Sequence, residues 1–229
     1  MEYKTNLIKA QFLRRTSRFS ATVDVSGEEI EVHVPNSGRL RELFRPGQNT
    51  YLQYIESTTR KTKHDLVLVE TGNTLCSCDS RIPPLLIEES FNKGELDPFL
   101  GFTKLQREVS LGNSRLDILL SSTDMNCYIE AKSVTLVEGR TAIFPDAPTR
   151  RGTKHVNSLL SAVESGCRAA AVFIIQRADA QQLYINRQSD PLFFQTLRAA
   201  KFNGVEVYAF TSNVSLRGAT IQSPIPVNI

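Results

Sequence analysis

Over roughly the first 80 residues, apolar and polar positions alternate in short runs: SRFSATVDVSGEEIEVHVPNSG, RPGQNTYLQYIE and HDLVLVETGN. Alternation at period two predicts half-buried β-strands. Turn residues separate the runs at Ser26-Gly27, Asn36-Ser37-Gly38, Pro46-Gly47 and Gly72-Asn73. Arg39 to Phe44 reads as one short helix inside this region. The pattern predicts a small β-barrel or meander.

Beyond residue 80 the elements lengthen and mix. IPPLLIEESFNKG predicts a helix, with prolines in its first turn and Gly94 as its stop. Three strands should follow, in KLQREVSL, SRLDILL and NCYIEAKSVTL. A helix is expected from about Thr149, because Val156, Leu159, Leu160 and Val163 recur at i, i+3, i+4 and i+7 before Gly166. CRAAAVFIIQ is a continuous apolar run, as a strand buried on both faces would be. Asp190-Pro191 opens a further helix, Asn203-Gly204 closes it, and VEVYAF supplies a last strand. The tail, SPIPVNI, is extended. The order α-β-β-β-α-β-α-β implies a mixed sheet covered by helices. The organisation is therefore α/β with an all-β N-terminal part: a β-rich domain at 1–80 and an α/β domain at 81–229.

Composition changes this picture little. The chain has 229 residues, 41% hydrophobic and 22% charged, enough for a packed core. A net charge of +3 permits nucleic-acid binding without arguing for it, so the placement of the charge must decide. MEYKTNLIKAQFLRR is too charged for a secretory signal, and no run approaches a membrane span. A cytoplasmic, reducing location is expected, with Cys76, Cys78, Cys127 and Cys167 as free thiols. Cys76-x-Cys78 lacks a second pair at zinc-ligand spacing.

CYIEAKSVTL carries the chemistry. Within this strand Glu130 and Lys132 share one face, and Ile129 and Ala131 the other. SRLDILL and CYIEAKS flank the polar stretch SSTDMN, so a hairpin is expected. If Leu120 pairs with Cys127, Asp117 lies opposite Glu130, with Cβ atoms about 4.5–5.5 Å apart. Two facing carboxylates repel, and a hard divalent cation such as Mg²⁺ or Mn²⁺ resolves the conflict. Two acids with a neighbouring lysine suit metal-assisted phosphodiester hydrolysis. Glu88 or Glu89 on the preceding helix could donate a third carboxylate. The competing reading is a solvated sheet face with a cross-strand salt bridge.

Basic residues gather in several places. Arg14, Arg15 and Arg18 stand between Phe12 and Phe19. Arg39 and Arg41 follow, then Arg60, Lys61, Lys63 and His64. Cations interleaved with aromatics suit a nucleic-acid backbone track with stacking positions, although a basic loop is also ordinary solvated surface. Arg150, Arg151, Lys154 and His155 cluster at a helix N-terminus. There they oppose the dipole and would welcome an anion. His155 alone fits a capping, packing or catalytic role.

Taken together and in order, PNSGRLREL, RKTKHDLVLVE, SRLDILL, CYIEAKSVTL and FPDAPTRRGTKH resemble the sugar fermentation stimulation protein A family. The resemblance covers nearly the whole chain. It implies an OB-like β-barrel followed by a PD-(D/E)xK nuclease-like domain. It also implies sequence-nonspecific DNA binding, with RNA as a further partner to test, and a regulatory link to sugar (maltose) metabolism. Carried onto that motif, Asp117 and Glu130 are the metal-binding acids, Lys132 is the lysine, and Glu88 is the helix acid. Leu116 stands where the motif has proline, and Arg150 where relatives often carry glutamate. A DNA-binding protein without turnover is the alternative. No helix-turn-helix pattern supports a sequence-specific operator reader.

Overall fold

The computed structural model describes residues 1–229. Six strands form the N-terminal part: β1 (Ile8–Ser17), β2 (Ser20–Val25), β3 (Glu28–His33), β4 (Asn49–Tyr54), β5 (His64–Thr71) and β6 (Thr74–Ser77). They pair in the order β3-β2-β1-β4-β5-β6, and a parallel bridge between His33 and Asp65 joins β3 to β5. That bridge closes β1 to β5 into a five-stranded barrel and leaves β6 outside the ring. The β2–β3 loop has two residues, Ser26 (φ 56°) and Gly27 (φ 93°). Both sit in the left-handed region, which matches the right-handed twist of a tight hairpin. Inward positions of the strands, among them Phe12, Val23, Val32, Leu52 and Leu66, fill the barrel core.

The expected helix at Arg39–Phe44 does not form. Only a turn is present, in which Leu43 and Phe44 donate to the Leu40 carbonyl. Leu40 has φ 50°, and Pro46-Gly47 follows at once, so this segment is too short to propagate a helix.

The second part holds α1 (Ile82–Asn92), β7 (Lys104–Leu111), β8 (Ser114–Ser121), β9 (Asn126–Val134), β10 (Val137–Glu138) and β11 (Thr141–Phe144). Then come α2 (Arg150–Glu164), β12 (Arg168–Ile175), β13 (Gln182–Ile185), α3 (Pro191–Phe202), β14 (Glu206–Val214), β15 (Ala219–Pro224) and β16 (Val227–Asn228). The main sheet runs β15-β14-β12-β9-β8-β7. Pairing is parallel at β9–β12 and β12–β14 and antiparallel elsewhere. β12 is central, and all its residues after Arg168 are buried. Thr149 caps α2 by accepting from Gly152 N, and Asp190 caps α3 by accepting from Phe193 N.

A smaller sheet, β10-β11-β13-β16, is an addition to the expected elements. The extended tail enters it through β16 and pairs with β14 through β15, so it packs on the second part. The chain start does the same. Glu2 bridges to Gly218, and the amino group of Met1 binds Glu89 and the Ala219 carbonyl.

The two faces of the main sheet have different covers. Ile82, Leu86 and Ile87 of α1 share a core with Ile118, Leu120, Cys127 and Ile129. Val156 and Leu159 of α2 share the opposite core with Leu116, Val134 and Phe173. Polar bonds fix the barrel to the end of this sheet. Ser77 N donates to Gln176 O, Gln176 Nε2 donates to Asp79 O and Ser133 Oγ, and Thr135 Oγ1 donates to Glu42.

Candidate functional site

β8 and β9 form the expected hairpin, and Leu120 faces Cys127. The ladder runs to Ile118–Ile129 and stops. At the next step Asp117 leaves the regular pattern, because its Oδ2 accepts from Ala131 N at 2.8 Å. The carboxylate has taken over a strand donor, and this ties it beside Glu130.

Glu130 is 4% exposed and lies on the face that α2 covers. Its Oε1 receives Lys132 Nζ at 2.6 Å and also His155 Nδ1. Its Oε2 is buried with no hydrogen-bond partner. Burial alone would raise the Glu130 carboxyl. His155 and Lys132 outweigh it and hold the carboxyl below its ordinary value. Asp117 goes the other way: burial first, then the charge of Glu130, pushes its carboxyl up to about 6. One acid is thus kept ionised by its neighbours, while burial and then the charge of the first hold the other back.

α2 places His155 over the pair. Lys154 Nζ donates to the Asn113 carbonyl and Ser158 Oγ to Ser114 Oγ, which pins α2 across the β7–β8 turn. Thr149 N donates to Asp190, which fixes the start of α2 against α3. His155 Nε2 accepts from Arg151 Nε at 3.4 Å. A guanidinium only donates, so Nε2 is the accepting nitrogen here and Nδ1 is the one that donates to Glu130. His155 is 5% exposed and cannot meet a surface ligand, in contrast to the nucleic-acid contact expected of it. No local sequence signal gives its partner, which lies 25 residues away.

Glu88 does not reach the acid pair. It sits on α1, whose apolar side covers the other face of the sheet, and it pairs with Arg107 at 3.5 Å. Glu89, the competing helix acid, holds the chain's amino group and Lys93. No group of three or more His, Cys, Asp or Glu side chains is set to hold a metal ion. Cys76 and Cys78 are buried free thiols in the barrel core.

The basic residues divide by what they already hold. Arg15 directs its guanidinium at the carbonyls of Ser17, Arg18, Asn36, Gly38 and Arg39, and it stacks over Phe44. All five of its N–H donors are spent on backbone, so it holds loops together and has none left for phosphate. Arg60 binds the fully buried Asp65. Phe12 is buried and stacked on Phe44, which removes it as a stacking position, while Phe19 is exposed. Arg14 pairs with Glu29 at the surface. Arg18, Arg39, Arg41, Lys61, Lys63, Arg151 and Lys154 are exposed. Arg18, Arg39 and Arg41 line a cleft of about 760 Å³ whose other wall includes Asp146 and Thr149 at the start of α2.

A closed five-stranded barrel of the OB type followed by a mixed-sheet α/β domain defines the class of this molecule. Residues 13–78 match the family model of the SfsA N-terminal OB domain, and residues 81–218 match that of the sugar fermentation stimulation protein RE domain. The chain belongs to the sugar fermentation stimulation protein family. Among its relatives, the homolog from Moorella thermoacetica is 42% identical, with both chains covered in full. That from Caldanaerobacter subterraneus subsp. tengcongensis is 41% identical over 99% of each chain. A solved structure, described as Pyrococcus furiosus SfsA in complex with Ca²⁺, is 30% identical. It superposes with a TM-score of 0.93 over 100% of this chain and 98% of that one. No helix is long and apolar enough to cross a membrane.

Proposed function

We propose that this chain binds nucleic acid without sequence preference and hydrolyses its phosphodiester bonds with a divalent cation held by Asp117 and Glu130. One observation carries the reading: the buried Glu130 Oε2 lacks any partner, beside a second carboxylate that burial, and then the charge of Glu130, push up to about 6. A buried oxygen of this kind is costly unless something meets it. An oxygen-only donor pair suits Mg²⁺ or Mn²⁺. The Ca²⁺ in the description of the Pyrococcus furiosus relative is a hard cation of the same kind.

Such a cation would polarise a phosphate and activate a water. The protein's own part is positional and electrostatic. Ala131 N holds Asp117 by one oxygen and leaves the other open. Lys132, on the same strand face as Glu130, brings a positive charge that can meet charge developing on the phosphate. Arg18, Arg39 and Arg41 supply cations along the cleft for the backbone of DNA, the expected partner. The family's name is the support for a role in regulating sugar metabolism.

The test is a panel of single- and double-stranded DNA and RNA incubated with Mn²⁺ or Mg²⁺. Cleavage by wild type that chelation and Glu130→Ala both abolish supports hydrolysis. Clean protein that cleaves no member of the panel contradicts it. The position of Glu88 across the sheet favours a second reading, a DNA-binding regulator without turnover. It predicts retention of DNA on the protein and no products with any metal.

A further inference from the structure

We propose that His155 is a positioning residue which fixes the Glu130 carboxylate so that Oε2, and not Oε1, faces the cation. The inference rests on the reading that Asp117 and Glu130 hold a divalent ion. A glutamate has three side-chain torsions, and a carboxylate free to rotate presents either oxygen. Here Oε1 is engaged twice, by Lys132 Nζ from the same strand and by His155 Nδ1 from α2. The remaining oxygen is buried and unpartnered. Two donors on one oxygen, with none on the other, leave only Oε2 for a ligand.

His155 suits this work better than Lys132 does. Lys132 hangs on a flexible stem from Glu130's own strand. His155 is rigid, buried, and anchored on a helix that is capped at Thr149 and pinned at Asn113 and Ser114. The bond from Arg151 to Nε2 keeps the imidazole proton on Nδ1, where Glu130 needs it. An imidazole that orients a carboxylate ligand is the converse of the common carboxylate that orients a histidine ligand. Partners of that kind typically change metal affinity about 10- to 100-fold.

The experiment is Mn²⁺ binding by the full chain, followed through the electron paramagnetic resonance of the free ion. Wild type is compared with Glu130→Gln, His155→Leu and His155→Asn, and thermal melts check the fold of each. Asn places its amide nitrogen near the position of Nδ1 and keeps a donor, whereas Leu fills the space without one. The expected result is a loss of about 10- to 100-fold in affinity for His155→Leu, with most of it restored in His155→Asn. Glu130→Gln should lose binding. If wild type binds, Glu130→Gln does not, and His155→Leu binds as wild type does, the positioning role is overturned while the cation site stands. Wild type that fails to bind Mn²⁺ overturns the site and the positioning role together. Should His155→Leu not fold, His155→Asn decides: affinity near wild type supports the donor role, and a loss as deep as that of Glu130→Gln overturns it.

Discussion

Single residues carry the sharpest consequences. The Asp117 carboxyl is raised from 3.8 to about 6, so the native state holds its proton more tightly than the unfolded chain does. Stability therefore falls as pH rises through that window and stays lower above it. Asp117→Asn removes the charge at every pH. It should unfold at higher urea than wild type at neutral pH, by on the order of 2 kcal/mol, and the gain should fade in acid. A gain that is the same across the range would mean that the charge is not its source. Arg15 makes the opposite case. With five carbonyls on its guanidinium, Arg15→Ala should cost about 2 kcal/mol in urea unfolding, while Arg18→Ala should cost almost nothing. Sequence could not separate the two. RRTSR reads as one basic patch, and only the fold shows that Arg15 is turned inward on the loops around Asn36 and Arg39. The pairing of His155 with Glu130 was equally hidden, since it depends on how α2 crosses the hairpin.

Elements were legible where periodicity was long. The β8–β9 hairpin followed from two alternating runs around SSTDMN, while its register, with Leu120 opposite Cys127, could only be assumed until the strands were seen paired. The start of α2 near Thr149 and the cap of α3 at Asp190 followed from the sequence, while the capping bond of Thr149 to Gly152 N did not. The short strands β10, β11, β13, β15 and β16 did not. TAIF and QLYI are four residues each, and the tail carries prolines, so neither period can establish itself there. The sheet face taken by α1 was also closed to sequence reasoning, and Glu88 was misplaced toward the acid pair for that reason. At the start of α1, Arg81 joins Arg60 on the fully buried Asp65 of β5. This cluster ties the barrel to the helix, so Arg60 acts first as a structural cation. Arg60→Ala leaves a buried charge with half its partners and should lower stability by about 2–3 kcal/mol. Lys61→Ala, one residue on, should not. Equal melting of the two variants would argue against the cluster.

Across the whole molecule, the barrel is bonded to the ends of β9 and β12, and its arginines face the start of α2 over one cleft. If nucleic acid lies there, replacing Arg18, Arg39 and Arg41 together by alanine should weaken binding on all sequences alike. It should also flatten the salt dependence on duplex DNA by roughly 2.7 in log–log slope. An unchanged slope would move the track elsewhere. The central claim is narrower: Asp117 and Glu130 together hold a divalent cation. Calorimetric titration of Mn²⁺ into wild type and into Asp117→Asn tests it most directly. The account predicts one saturable site in wild type and its loss in the folded variant. Equal binding by both proteins, or none by wild type, would contradict it.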